Sequence, residues 1–390
     1  MFRLFAFIAL LFSTVNALQA QVLLSPADAV QRAVQNGRNL QAANLSIQQQ
    51  QALVGAATDF QNPQLTAEVT PYEPLIVGVQ QTFSLPGVYR ARQGLQRERI
   101  RLAQLQLLNL QYDLNRDVRT SYLQLQYLTE RQTLLQYQDS IYQAIKAAAQ
   151  RFFAAGQINK LEELQAATQA DAVRNNLQRV QTDAVAEQQL FRFYTALTDS
   201  FTVQPLTADL IAVEGDTSAV TYAQQLLQQQ VTLSQQQLKT ERLELLPQLQ
   251  AGVLLPTTRE FDRPIGFGGG VYLPLYRKQN RSRIQAATFG VQAAQAQQDL
   301  ERQRLNALYR QAVAAYRREA ASIAYYNNTA LQQARSIIET SQRLFDGGQL
   351  NYIESLRNLQ TAFDILNNHL ETLRTYNEAV IQLNYLTGRL

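Results

Sequence analysis

Gln61-Asn62-Pro63-Gln64-Leu65-Thr66-Ala67-Glu68-Val69 returns further along the chain as Leu246-Pro247-Gln248-Leu249-Gln250-Ala251-Gly252-Val253. After each proline the residues alternate. In 64–70 one face is Leu65, Ala67 and Val69, and the other is Gln64, Thr66, Glu68 and Thr70. In 248–255 the apolar face is Leu249, Ala251, Val253 and Leu255. A period of two predicts strands, each separating two environments. Two further stretches read the same way. In 75–85 the faces are Leu75, Val77, Val79, Phe83, Leu85 and Ile76, Gly78, Gln80, Thr82, Ser84, with Gln81 interrupting the first. In 265–275 Ile265, Phe267, Val271, Leu273 and Leu275 oppose Gly266, Gly268 and Gly270.

The repetition extends beyond the strands. Phe83-Ser84-Leu85-Pro86-Gly87-Val88-Tyr89-Arg90 returns as Tyr272-Leu273-Pro274-Leu275-Tyr276-Arg277, and Arg151-Phe152-Phe153-Ala154-Ala155-Gly156-Gln157-Ile158-Asn159 as Arg343-Leu344-Phe345-Asp346-Gly347-Gly348-Gln349-Leu350-Asn351. Pro247 follows Pro63 by 184 positions, Pro274 follows Pro86 by 188, and Gly348 follows Gly156 by 192. One long unit is duplicated in tandem, and its period is too long for a solenoid of short repeats. The expected organisation is a first repeat over 21–198, a linker over 199–217 and a second repeat over 218–390. Each repeat runs helix, two strands, long helix, return helix.

The opening helix is predicted from Ser25, with Pro26 in its first turn, to about Thr58. Its counterpart runs from about Ser218 to Leu245 and ends at Pro247. From Gly87 to Ala155 there is no proline, and leucines recur at i, i+3 and i+4. Roughly 65 helical residues would span ~100 Å. Tyr276 to Phe345 predicts a second helix of the same length. Helices so far above the ordinary length need packing partners throughout, as in a coiled coil. Glycines at 156, 347 and 348 break both rods, and return helices follow over Asn159–Thr198 and Asn351–Thr387.

Arg3, the apolar run Leu4–Leu11 and the small residues Ala17 and Ala20 read as a secretory signal over 1–20. The run is short for a membrane span of ~20 residues. The 390 residues include no cysteine, one histidine (His369) and one methionine (Met1), so soft and imidazole metal ligands are nearly absent. A formal charge of +4 without a basic tract leaves no nucleic-acid footprint. No later stretch is apolar enough for a membrane helix, so a mature chain that enters lipid must do so as strands of a closed barrel. Strands of about ten residues fit that use, although a soluble sheet over a helical core would alternate in the same way.

Four strands per chain cannot close a barrel, and open edges are excluded from lipid. Two chains would give eight strands and a filled interior. Three would give twelve and a lumen. With the helices continuous with the strands, the product is a duct.

The repeat order, the proline-terminated strands, the Arg-Phe-x-x-x-Gly-Gln-hydrophobic-Asn motif and Asn384-Tyr-Leu-Thr-Gly388 resemble the TolC-type outer membrane efflux family. The resemblance covers nearly all of the mature chain. Leu246-Pro247-x-Leu249-x-Ala251-Gly252-Val253, Tyr272-Leu273-Pro274-Leu275 and Tyr325-Tyr326 with Leu331 are most similar to the outer-membrane components of heavy-metal exporters of the resistance-nodulation-division class. The resemblance implies a mainly α fold with membrane β. It implies a homotrimer whose long coiled-coil-like helices form a periplasmic tunnel beneath a shared 12-stranded barrel in outer-membrane lipid. It further implies that the tip turns, at Gly156, Gln157, Gly347, Gly348 and Gln349, dock a periplasmic adaptor coupled to an inner-membrane pump. The family's acid six positions past the tip glycine is matched by Glu162 and Glu354. Where a second acid often follows in the second repeat, this chain has Arg357. The N-terminal lipid-bearing cysteine of many relatives is missing.

Glu162, Glu163 and Glu354 also suit the positive end of a helix dipole, and Arg357 is placed for an i, i+3 ion pair with Glu354. His369 has no companion ligand and reads as a surface or tunnel-lining polar residue. Tyr112, Tyr122 and Tyr127 are expected to pack between helices, as are Tyr325 and Tyr326. The glycines at 266, 268, 269 and 270 lie within a strand, and no Gly-x-x-x-x-Gly-Lys pattern follows them. No nucleophile, histidine pair or carboxylate dyad suggests an enzyme, and no cofactor is implied. The expected function is a passive outer-membrane exit duct, with heavy-metal cations as the resemblance's cargo. The alternatives are an exit for drugs or secreted proteins, and a soluble periplasmic coiled-coil scaffold.

Overall fold

The computed structural model describes residues 22–69, 75–209, 221–256, 265–275, 277–346 and 352–390. The expected signal over 1–20, positions 210–217 of the linker, and Gly347, Gly348 and Gln349 lie outside them. The chain forms two compact units, and each draws on both sequence repeats. One comprises Met1–Gly37, Leu114–Ile211 and Ala314–Ile381, and the other Arg38–Asp113, Ala212–Val313 and Gln382–Leu390.

The first unit is helical around a small parallel sheet. Strand β1 (Val22–Leu24) leads into α1 (Pro26–Asn36). Pro26 fills the first turn, where its missing N–H costs nothing, and the Ser25 hydroxyl accepts from the Asp28 amide at 3.2 Å. The expected single helix to Thr58 stops at Gly37, whose ψ of 110° is extended, and resumes at Arg38 as α2 (Arg38–Thr58). The unit's share of α3 (Pro86–Ala154) lies from Leu114 onward, followed by α4 (Lys160–Thr195). The return helix was expected to reach Thr198. It ends instead on Ala196 at φ 54°, whose amide donates to the Arg192 carbonyl at 2.8 Å.

Within the predicted linker, β4 (Phe201–Val203) pairs in parallel with β1, in the register Val22–Phe201, Leu23–Thr202, Leu24–Val203. Neither strand has a sequence period to betray it. Leu24, Ala29, Ala33, Val118, Tyr122, Leu125 and Phe191 form the core beneath this sheet. Ala29 and Ala33 stand one turn apart and are fully buried, which brings α1 close to its neighbours. Tyr122, 1% exposed, donates to the Leu24 carbonyl at 2.6 Å and accepts from the Gln204 amide at 2.9 Å. One hydroxyl therefore holds β1 and the end of β4 together. Burial pushes its phenol above the ordinary value of 10.0.

The chain beyond β4 is strapped down by side chains. Gln126 donates to the carbonyls of Gln204 and Pro205 at 3.0 and 3.2 Å. Asn377 of α8 (Tyr352–Leu386) accepts from the Asp209 amide at 2.9 Å and donates to the Thr207 carbonyl at 2.6 Å. Tyr376 donates to the Asp209 carbonyl at 3.0 Å.

The second long rod is helical from Arg277 to Asp346 but carries a π-helical insertion. It runs as α6 (Arg277–Tyr325), a π-helical turn over Tyr326–Ala330, then α7 (Leu331–Asp346). The Leu331 amide bonds the Tyr326 carbonyl five residues back. Tyr325-Tyr326-Asn327-Asn328-Thr329 contains no strong helix former, which lowers the cost of inserting one extra residue. The Tyr326 ring lies 5.5 Å from His369, and burial pushes that imidazole below 6.5.

The second unit holds α2, the start of α3 and most of α6, together with α5 (Tyr222–Leu243) and four strands. Thr221 caps α5 through a reciprocal pair with Gln224, at 3.3 and 3.2 Å. Glutamines do more here than wet a helix surface. Buried Gln96 donates to the Gln50 carbonyl at 2.7 Å, and buried Gln229 to the Glu98 carboxylate at 2.6 Å. Gln236 donates to the Ala91 carbonyl at 3.1 Å. The amide satisfies itself against the neighbouring helix without burying a charge. The Asn384–Gly388 motif closes α8. Gly388 has φ 73°, and the Arg389 amide bonds the Asn384 carbonyl at 2.8 Å.

Candidate functional site

Two features stand out, a sheet in the second unit and a helix turn in the first. The sheet is built from β2 (Gln64–Glu68), β3 (Ile76–Phe83), β5 (Gln248–Pro256) and β6 (Gly266–Tyr272). Its order is β2-β3-β5-β6, antiparallel throughout, so the two sequence repeats meet between β3 and β5. Among the described residues, the outer edges of β2 and β6 have no strand beside them.

The register lines up the predicted faces. Leu65, Val79, Val253 and Phe267 form one cross-strand row. All four are exposed, at 76%, 46%, 38% and 85%. Phe83, Leu249 and Val271 form a second row, and Ala67, Val77 and Leu255 a third. An apolar face of this extent, interrupted only by the row Gln81–Ala251–Gly269, is not left to water by a stable soluble domain, and it marks a surface made for lipid or protein.

The reverse face carries Gln64, Thr66, Glu68, Gln80, Thr82, Gln250 and glycines, with Ile76, Leu254 and Tyr272 among them. Gln250 donates to Gln80 at 2.8 Å across β3 and β5. Gly78 is needed here for close approach, since a Cβ would sit 2.7 Å from Leu254 Cδ2 and 2.8 Å from Thr66 Oγ1. The face that carries Gly78 is thus the crowded one.

The strands join helices at one end. Only Ser84 and Leu85 separate Phe83 from Pro86, the first residue of α3. Phe60, Phe83 and Tyr89 cluster edge-to-face at 5.6 Å around this junction. The Tyr89 hydroxyl accepts from the Ser84 amide at 3.1 Å. Amphipathic aromatics at a strand end are the usual furniture of a lipid–water boundary.

The turn in the first unit joins α3 to α4. Gly156 adopts φ 72°. The Gly156 amide bonds the Phe153 carbonyl and the Gln157 amide bonds the Phe152 carbonyl, both at 2.9 Å, which is a Schellman closure. Asn159 then caps α4 in a capping box. Its side chain accepts from the Glu162 amide at 3.0 Å, and Glu162 accepts from the Asn159 amide at 2.8 Å. The sequence signal for that box was Asn159-x-x-Glu162. Glu163 pairs with Lys160, whose ammonium sits 5.0 Å from the Phe153 ring centre. Phe152, Phe153, Leu161 and Leu164 are exposed around the turn. Glu354 and Arg357 are exposed and one turn apart on α8. The structure thus gathers Gly156, Gln157, Asn159 and Glu162 into one turn. Gly347, Gly348 and Gln349 fall outside the described residues.

The chain is mainly helical, with a four-stranded antiparallel sheet that has one largely apolar face. No protein-family model and no curated protein matches the sequence. Solved structures do match. The Campylobacter jejuni CmeC outer membrane channel is similar at a TM-score of 0.77 and 12% identity, over 93% of this chain and 85% of that one. The Vibrio cholerae outer membrane protein VceC is similar at 0.77 and 15%, over 93% and 96%. CusC, described for its transmembrane channel formation, is similar at 0.78 and 14%, over 95% and 94%. The chain has the fold of these channel proteins along nearly its whole length.

Proposed function

We propose that the chain is one of three identical subunits of an outer-membrane channel, the passive exit duct of a tripartite efflux system of the TolC type. The observation that carries this reading is the sheet, with two open edges and an exposed apolar face, which a closed barrel would turn outward to lipid. Each open edge is a row of unpaired backbone groups, which lipid does not tolerate. Joining β6 of one copy to β2 of the next removes every edge, and three copies supply twelve strands around a lumen. Similarity to outer membrane channels over more than nine-tenths of the chain supports the same assembly.

In this reading the Gly156–Gln157 turn and its counterpart at Gly347, Gly348 and Gln349 are the periplasmic tips that dock an adaptor. An inner-membrane pump supplies the energy, and the channel itself is not an enzyme. Glu162, Glu354 and Arg357 stand near the tunnel mouth. The cargo we assign is a heavy-metal cation, on the strength of the local motifs. Among the described residues of one chain, no group of three or more His, Cys, Asp or Glu is gathered to hold a metal ion. Deletion of the gene tests the cargo. Lost copper or zinc tolerance supports it, and unchanged metal tolerance with lost detergent tolerance overturns it in favour of drug export. Planar-bilayer recording tests the duct, which requires discrete conductance steps.

A further inference from the structure

We propose that Glu68 sets the ionic preference of the barrel lumen, making the outer mouth favour cations over anions; this rests on the duct reading above. Among the described residues of the four strands, Glu68 is the only charged one. The register puts it on the inner face with Gln64 and Thr66, not on the apolar outer face. Among the described residues that face otherwise carries amides, hydroxyls, glycines and the uncharged Ile76, Leu254 and Tyr272. An amide presents donor and acceptor alike and so favours neither sign of ion.

The placement of Glu68 is as informative as its charge. All four strands meet helices at one end of the sheet, and Glu68 is the last residue of β2, at the other end. Its cross-strand partner is Ile76, whose own partner on β5 is Pro256. Neither carries a charge. The Glu68 side chain is exposed, and no ion pair among the described residues neutralises it. Three-fold assembly turns one such carboxylate into a ring. Rings of acidic side chains are a known means of cation preference, and lumen-facing substitutions in barrels tune selectivity. The low-dielectric wall strengthens the ring by focusing its field into the lumen. The consequence is selectivity by sign: cations pass the mouth readily, while anionic solutes on either side are held back.

The test is the reversal potential of the purified full-length channel in a planar bilayer under a potassium chloride gradient. It is run at low ionic strength, where the screening length grows from ~10 Å at 0.1 M to ~30 Å at 0.01 M. The wild-type channel passes potassium in preference to chloride. Glu68→Gln lowers the permeability ratio, Glu68→Lys lowers it further, and Gln64→Glu, on the same face, raises it. Concentrated salt shrinks all three differences. Glu68→Gln is near-isosteric and carries the comparison if the lysine variant fails to assemble. An unchanged ratio in Glu68→Gln and Gln64→Glu, with conductance intact, overturns the role of Glu68 alone. A wild-type protein that inserts without conducting overturns the duct reading and this inference with it.

Discussion

Replacing Val253 by arginine puts the sheet's orientation to a direct trial. Val253 stands in the row Leu65–Val79–Val253–Phe267, inside the nine-residue strand β5 and flanked by apolar neighbours on both sides. On the outer face of a barrel near the bilayer midplane, an arginine costs about 2–4 kcal/mol. At 1.4 kcal/mol per decade that is roughly a 30- to 700-fold shift against insertion for each chain. Three copies raise the sum to about 6–12 kcal/mol, comparable with the whole stability of an ordinary domain. Gln64→Arg is the control. It places the same side chain on the opposite, exposed face, where a surface substitution costs within about 0.5 kcal/mol. Membrane fractionation and heat-modifiable gel mobility read both variants. Val253→Arg should be lost from the heat-modifiable, membrane-extracted pool, and Gln64→Arg should stay. Equal behaviour of the two, in either direction, would refute the assignment of faces.

Other outcomes follow from single contacts. Tyr122→Phe leaves the Leu24 carbonyl and the Gln204 amide without their shared hydroxyl, so thermal or denaturant unfolding should show a loss of about 1–3 kcal/mol. Gly156→Val forces a branched residue to φ 72° in open space, a cost of roughly 1–2 kcal/mol of backbone strain without a clash. Adaptor pull-down should weaken, whereas Gly156→Asn should largely restore it. Glu371 is held below its ordinary 4.5, first by its hydrogen bond from Arg374. Its contribution to stability is therefore complete at neutral pH and fades as the pH falls below 4.5 through the depressed value. Glu371→Gln should be less stable at pH 7 and should converge on the parent protein in acid, as followed by circular dichroism melts.

The sequence made the four strands legible because one buried or lipid-facing side imposes a period of two. The expected 75–85 became Ile76–Phe83, and 265–275 became Gly266–Tyr272. The Gly156 turn was legible because a left-handed residue is chemically specific. The hidden parts are those without a period. β1 and β4 have three residues each and depend on Tyr122, about a hundred positions from one of them. The break at Gly37 comes from one residue's backbone angle, inside a pattern that continues on both sides. The π turn at Tyr326 is a single-residue insertion in a helical ladder, to which a 3.6-residue period is nearly blind. At the tip, Glu162 read equally well as a mouth charge and as a charge suited to the helix dipole. The capping box binds its carboxylate to the Asn159 amide, which fixes where that charge sits.

The central claim is that one copy is an incomplete wall. The particle mass of the detergent-extracted full-length protein, corrected for bound detergent, tests it most directly. The account predicts a mass of three 44.1 kDa chains, less the removed signal, with no smaller stable species. A single chain that stays monodisperse in water without detergent would contradict it.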